Sequence, residues 1–173
     1  MYLITAYFDE KTNDILRRHI DEIARITGNT YMTDNHVPPH MTLCALEARN
    51  VDVLTPGFKE FAEASEKGEV IIASVAEFFP YVMYAAPVPN NYLMDISKRL
   101  NNIYGDLPEV SVSRYYSVDH WLPHITLAKR LEEEQMLKAL EIMRSSFTPI
   151  NAVVGEVGLS EVNPHRDVLR ISL

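Results

Sequence analysis

The stretches HVPPHMTL at residues 36–43 and HWLPHITL at residues 120–127 share the pattern H-x-x-P-H-x-T-L, with their second histidines 84 residues apart. The chain holds six histidines, and four of them fall in these two segments. If residues 40–43 are extended, alternation puts His40 and Thr42 on one face and Met41 and Leu43 on the other. The same rule sets His124 and Thr126 against Ile125 and Leu127. An imidazole beside a hydroxyl, presented twice, suits chemistry at a phosphodiester. One neutral imidazole can take a proton from the attacking oxygen while the other, protonated, gives one to the leaving oxygen. Histidine's ordinary pKa of about 6.5 makes both forms available near neutrality. The threonine hydroxyls can donate to non-bridging phosphoryl oxygens as charge develops there. No metal is required.

PHMTL and PHITL resemble the paired H-x-[ST]-φ motifs of the two-histidine (2H) phosphoesterases, which include the 2′-5′ RNA ligase-like proteins and the cyclic phosphodiesterases. The resemblance covers nearly the whole chain. It implies an α+β, bilobal, pseudo-twofold fold, with two antiparallel β-sheets lining a central cleft and helices outside. It also implies cleavage or formation of 2′,3′-cyclic phosphate or 2′-5′ phosphodiester bonds at RNA ends or in nucleotides, without metal or cofactor. His40 and His124 would then be the acid/base pair, and Thr42 and Thr126 the hydroxyls that hold phosphate. Which histidine is the base is not assigned by the sequence. The same groups with exchanged roles would join ends as a 2′-5′ RNA ligase. No P-loop pattern is present, so ATP-driven ligation is not indicated. The other reading is a non-catalytic RNA- or nucleotide-binding module using the same cleft.

The remaining candidates surround the motifs. Tyr31, Arg114, Tyr116 and Trp121 precede them or open them, where a guanidinium and aromatic rings could meet phosphate and base; the alternative is loop aromatics that cover the core edge. Lys129 and Arg130 follow the second motif directly, where the 2H proteins often carry a basic residue, and one of them is expected to face the cleft. His36 and His120 either support the catalytic pair, touch substrate, or cap the loop before each strand. Four repeated histidines also raise zinc. However, His-x-x-x-His across a proline is not a helical clamp, and only Asp34 and Asp119 lie near as carboxylates. Cys44 reads as a small buried filler, His19 as a solvated helix residue, and His165 as part of a terminal turn.

The elements that must position these residues recur in order. YLITAYF (2–8) reads as a strand, followed by a helix near 12–27 that sets Leu16, Ile20, Ile23 and Ala24 on one face and stops at Gly28. After a polar loop and the first motif, Thr55 and Pro56 read as N-cap and first-turn proline of a short helix, and 69–79 as a strand. The order then starts again: a strand at 81–88, an Asn90-capped helix burying Leu93, Ile96, Leu100 and Ile103, a loop, the second motif, a helix at 131–147 and a strand at 150–162. A last strand at 167–173 follows the turn NPHR. Residues 1–173 are therefore read as one two-lobed domain with an internal repeat of roughly 2–79 and 81–162.

Composition narrows the partners. Sixteen basic against 24 acidic residues give a formal charge of −8, which opposes sequence-blind binding to long duplex DNA or an anionic membrane and favours a small nucleotide or an RNA terminus. One cysteine excludes an internal disulfide framework and fits a reducing compartment. The N-terminus reads as a first strand and no apolar run is long enough to span a bilayer, so the expected address is the cytoplasm and the expected state a monomer.

Overall fold

The computed structural model describes residues 1–162 and 165–173. The first half comprises β1 (Tyr2–Phe8), α1 (Glu10–Thr27), the single-turn α2 (Tyr31–Asp34), β2 (Met41–Ala48), α3 (Thr55–Glu63) and β3 (Gly68–Phe78). The second comprises β4 (Val82–Pro87), α4 (Asn91–Gly105), the short β5 (Val110–Val112), β6 (Ile125–Lys129), α5 (Glu133–Ser146) and β7 (Ile150–Glu161), after which β8 (Arg166–Ser172) runs to the end. The fold is α+β, as the motifs implied. Among the described residues every strand pairing is antiparallel.

The two expected sheets are joined into one hydrogen-bonded circuit. β1 pairs with β2, β2 with β6, β6 with β4, β4 with β3, β3 with β7, and β7 returns to β1, while β8 and β5 add to β7 and β2. The 12-residue β7 is long enough to serve both lobes: Ile150–Val154 pairs with β3, and Val154–Glu161 pairs with β1.

One face of this circuit is apolar and lies under the helices. Ile4, Met41, Leu43, Ile125, Leu127, Val157 and Leu159 are fully buried and share a core with Leu16 and Ile23 of α1 and with Leu93, Ile96, Leu100 and Tyr104 of α4. Each such aliphatic side chain contributes roughly 1.5–3 kcal/mol over leaving it exposed. The alternation along both motif strands is thereby fixed: turning the histidine face inward would expose four of these residues. Among the described residues, no helix is long and apolar enough to cross a membrane.

Caps anchor the helices against the sheet. Asp9 accepts the Thr12 N–H at 3.0 Å and the Val153 N–H at 2.9 Å, tying the start of α1 to β7. Gly28, at φ 74°, ends the helix in the left-handed conformation a glycine tolerates. Asn90 accepts the Leu93 N–H at 3.0 Å, and Glu132 with Gln135 forms a capping box on α5. Thr55 is not the cap that was expected. A 3₁₀ turn at Val51–Val53 already delivers the chain into α3 through Leu54, and the Thr55 hydroxyl donates to the Val51 carbonyl at 3.0 Å. On α4, Tyr104 rather than Ile103 completes the buried stripe, its hydroxyl donating to the Leu54 carbonyl at 2.9 Å. His19 is not solvated: it is buried, with its ring centroid 5.6 Å from that of Phe147, because the end of α5 covers this side of α1.

Candidate active site

The two motif strands meet at one residue pair, Met41 opposite Ile125. The repeat offset of 84 carries 41 onto 125, so this pair marks the local pseudo-twofold. Extending the antiparallel register by one residue each way sets His40 across from Thr126 and Thr42 across from His124. Each histidine is thus a neighbour of the other motif's threonine. The adjoining strands repeat the relation, since Thr42 faces Thr5 on β1 and Thr126 faces Tyr84 on β4.

Both imidazoles are held in the same way. His40 Nδ1 lies 2.8 Å from the Pro38 carbonyl, and His124 Nδ1 lies 2.9 Å from the Leu122 carbonyl. A carbonyl only accepts, so Nδ1 carries the hydrogen and Nε2 is the basic nitrogen of each neutral ring. The motif proline explains the carbonyl's position. Pro39 and Pro123 are buried and disfavour the helical region for Pro38 and Leu122, holding them extended. The repeated P-H dipeptide therefore sets the tautomer of the histidine that follows it.

The two environments differ. Burial pushes His40 down to about 4, helped by the nearby His165 and His124 and opposed by the Pro38 carbonyl and Asp167. His40 lies flat on His165, with centroids 4.7 Å apart and planes at 21°. His124 is also lowered by burial, against the pull of the Leu122 carbonyl. It meets the ring of Phe78 edge-on at 4.9 Å and that of Tyr84 at 5.6 Å. Of the threonines, Thr42 is 7% exposed and Thr126 is half-buried. Among the described residues no three His, Cys, Asp or Glu side chains converge as a metal-ligating group.

A family model for the 2′-5′ RNA ligase superfamily matches residues 13–166, taking in both motifs. The chain belongs to the 2′-5′ RNA ligase superfamily, the two-histidine phosphoesterases. Among solved structures it is similar to TT0787 of Thermus thermophilus, with a TM-score of 0.60 and 16% identity over 99% of this chain and 97% of that chain. At that identity the likeness is one of fold. No curated protein matches the chain in sequence.

On this 2H scaffold the remaining candidates separate. Tyr31 and Arg130 come together, the guanidinium lying 4.6 Å from the ring centroid, with the Arg130 carbonyl accepting from Asn29 at 3.0 Å. Strict alternation would put Lys129 with Ile125 and Leu127 on the core side. A register shift between Met83 and Tyr84 instead leaves both Leu127 and Ala128 buried and sets an exposed Lys129 opposite Val82, on the side of Thr126. Lys129 and Arg130 line a cavity of about 410 Å³ with Tyr81 and Val82.

Tyr116 lies against Thr42: burial raises its phenol, and the Thr42 hydroxyl opposes that rise. Arg114 is at the surface, folded onto the neighbouring Tyr115 ring and donating to its hydroxyl at 2.8 Å. Trp121 departs from the substrate role considered for it. It is 8% exposed and its indole N–H donates to the Thr42 carbonyl at 3.1 Å, so it supports the motif strand from within the core. His36 and His120 do not stand behind His40 and His124, because the Pro38 and Leu122 carbonyls occupy those places. His36 is exposed at φ 50° at the end of α2, and His120 is exposed, its Nδ1 2.9 Å from the Ser117 hydroxyl.

Sequence reasoning missed the groups flanking the histidines. Tyr7 shares the face of Thr5 on β1, and Tyr84 shares that of Thr126, so strand alternation could have nominated both. His165 and Asp167, dismissed as a terminal turn and a final strand, lie against Tyr7 and His40. No spacing in the sequence connects residue 165 with residue 40. Cys44 is the buried filler expected of it, its thiol pushed up to about 12 by burial and so unreactive near neutrality.

Proposed function

We propose that the chain is a metal-independent phosphoesterase opening 2′,3′-cyclic phosphate or 2′-5′ phosphodiester bonds of RNA ends or nucleotides. The observation that carries this reading is the matched pair of Nδ1–H···O=C bonds on His40 and His124, which gives both rings the same basic Nε2 beside paired threonines.

His40 is the base. Its neutral form is favoured by burial, and a proton there would sit against His165. His40 Nε2 takes a proton from water, the water oxygen bonds to phosphorus, the bond from phosphorus to the ribose oxygen breaks, and His124 Nε2–H protonates the departing oxygen. Thr42 and Thr126 donate to the non-bridging oxygens. With a ribose hydroxyl as nucleophile and the roles exchanged, the same groups join ends, and dilute aqueous solution favours hydrolysis.

One chain carries both histidines and both threonines, which supports a monomeric enzyme. Lys129 and the Arg130–Tyr31 stack would meet the phosphate or base of a single-stranded end, a role supported by the exposed Lys129 and by the cation held over the Tyr31 ring. The −8 charge disfavours long duplexes.

The test is turnover of a 2′,3′-cyclic nucleotide, a short RNA with a cyclic end and a 2′-5′-linked dinucleotide in excess EDTA. Chelator-resistant opening of one of these, lost in His40→Ala and His124→Ala, supports the proposal. Binding without turnover of any ester would favour the binding module, and activity that returns only with metal would refute the metal-free step.

A further inference from the structure

Beside His40 lies a hydrogen-bonded network that holds His165. The Tyr7 hydroxyl donates to Asp167 Oδ1 at 2.6 Å, and Ser160 donates to the same oxygen at 2.6 Å. With its only hydrogen given to a carboxylate, the Tyr7 oxygen can only accept from His165 Nε2, 3.1 Å away. His165 therefore carries its hydrogen on Nε2, and hydrogen bonding to Tyr7 fixes its ring plane. That plane is the one lying against His40 at 4.7 Å.

The cluster occupies space that only a glycine leaves open. A Cβ on Gly158 would come within 2.7 Å of the Tyr7 ring, 2.8 Å of the Thr5 hydroxyl and 3.1 Å of Asp167 Oδ1.

We infer that His165 is a positioning residue for His40: Asp167 and Tyr7 hold its imidazole flat against the catalytic ring, so that His40 meets substrate oriented and unprotonated. This rests on the phosphoesterase reading above.

The physical reason is that two stacked imidazolium rings would place cation on cation, so the pair takes up at most one proton beyond its two neutral N–H groups. The other charged or titratable groups are disposed to keep that balance. From β8, Arg170 lies 3.8 Å over the Tyr7 ring and 3.7 Å from Asp167 Oδ2, offsetting the carboxylate that would otherwise draw a proton onto His165. From β7, Glu156 is occupied by Arg170, accepting from its Nε at 2.6 Å. From β1 only the phenol of Tyr7 faces the ring, and from the second motif His124 adds a further cation when protonated.

The experiment follows the imidazole signals of His40 by NMR titration of the ligand-free protein, alongside kcat/KM against pH, in wild type, His165→Ala and His165→Phe. In His165→Ala the His40 midpoint moves up by a unit or more and the acid limb of kcat/KM moves with it, so kcat/KM at pH 5 falls about twofold or more relative to the plateau. In His165→Phe, which keeps a flat ring, plateau kcat stays within about threefold of wild type while His165→Ala loses tenfold or more. A folded His165→Ala protein with wild-type His40 titration and pH profile overturns the inference. Should His165→Ala fail to fold, Tyr7→Phe is read in its place: it frees the ring of His165, and an unmoved His40 midpoint is the overturning result. The titration needs no substrate, so an absence of turnover counts against the phosphoesterase reading alone.

Discussion

Met41 and Ile125, 84 residues apart, are register partners at the point where the two motif strands touch. Because that pair is its own equivalent under the repeat, everything one motif offers is offered again from the opposite side. Two equivalent histidines on one face divide proton removal and proton donation most readily when their surroundings differ. Here they do: His40 lies against another imidazole, and His124 against Phe78 and Tyr84.

Removing either ring should therefore stop the same step. His40→Ala and His124→Ala are each expected to lower kcat by roughly 10²–10⁴-fold, with the double variant little worse than the more damaging single one. Single-turnover rates on a cyclic-phosphate substrate check this. Losses that multiply would mean that the two histidines act in separate steps.

Thr42→Val and Thr126→Val keep side-chain volume and remove one donor each. A hydrogen bond to a charged group is worth about 1.5–3 kcal/mol, so kcat/KM should fall roughly 10- to 100-fold in each. Unaltered kinetics in Thr42→Val would show that this buried hydroxyl serves Tyr116 and not phosphate.

Trp121→Phe removes the indole N–H from the Thr42 carbonyl. The expected cost is about 1–3 kcal/mol of stability in urea unfolding, with KM within about twofold of wild type. A large rise in KM at unchanged stability would place the ring against substrate instead.

Folding should also be linked to His40. With the folded value at about 4 and the ordinary value at 6.5, both states are neutral above pH 6.5 and the group contributes nothing there. As pH falls from 6.5 towards 4 the unfolded chain takes a proton that the fold refuses. Stability drops through that window by up to about 3 kcal/mol and levels off below it. His40→Gln should lose stability less steeply between pH 6.5 and 4.5, by up to one proton in the slope. Identical slopes would mean that His40 titrates normally in the fold.

The parts written locally in the sequence were readable from it. The Met41/Leu43 and Ile125/Leu127 alternation, the Asn90 cap and the Gly28 stop depend on neighbours within four residues, and all appear as expected. The errors arose where distant segments decide. His19 looked solvated until the end of α5 covered it, and although Trp121 is a loop aromatic and His165 a turn residue as read, their contacts with the Thr42 carbonyl and with Tyr7 could not be foreseen. The Leu127 bulge was equally hidden, although the expected side of Lys129 holds: one extra residue between register partners carries it to the side of Thr126.

If His40 and His124 divide proton removal and proton donation, the most direct test is the pH dependence of kcat/KM in excess EDTA for whichever ester is opened. Both rings are lowered by burial, so the account predicts a bell whose acid limb lies near pH 4, from His40, and whose alkaline limb lies below 6.5, from His124. A profile that rises through neutrality to an alkaline plateau, or one restored only by a divalent cation, would contradict it.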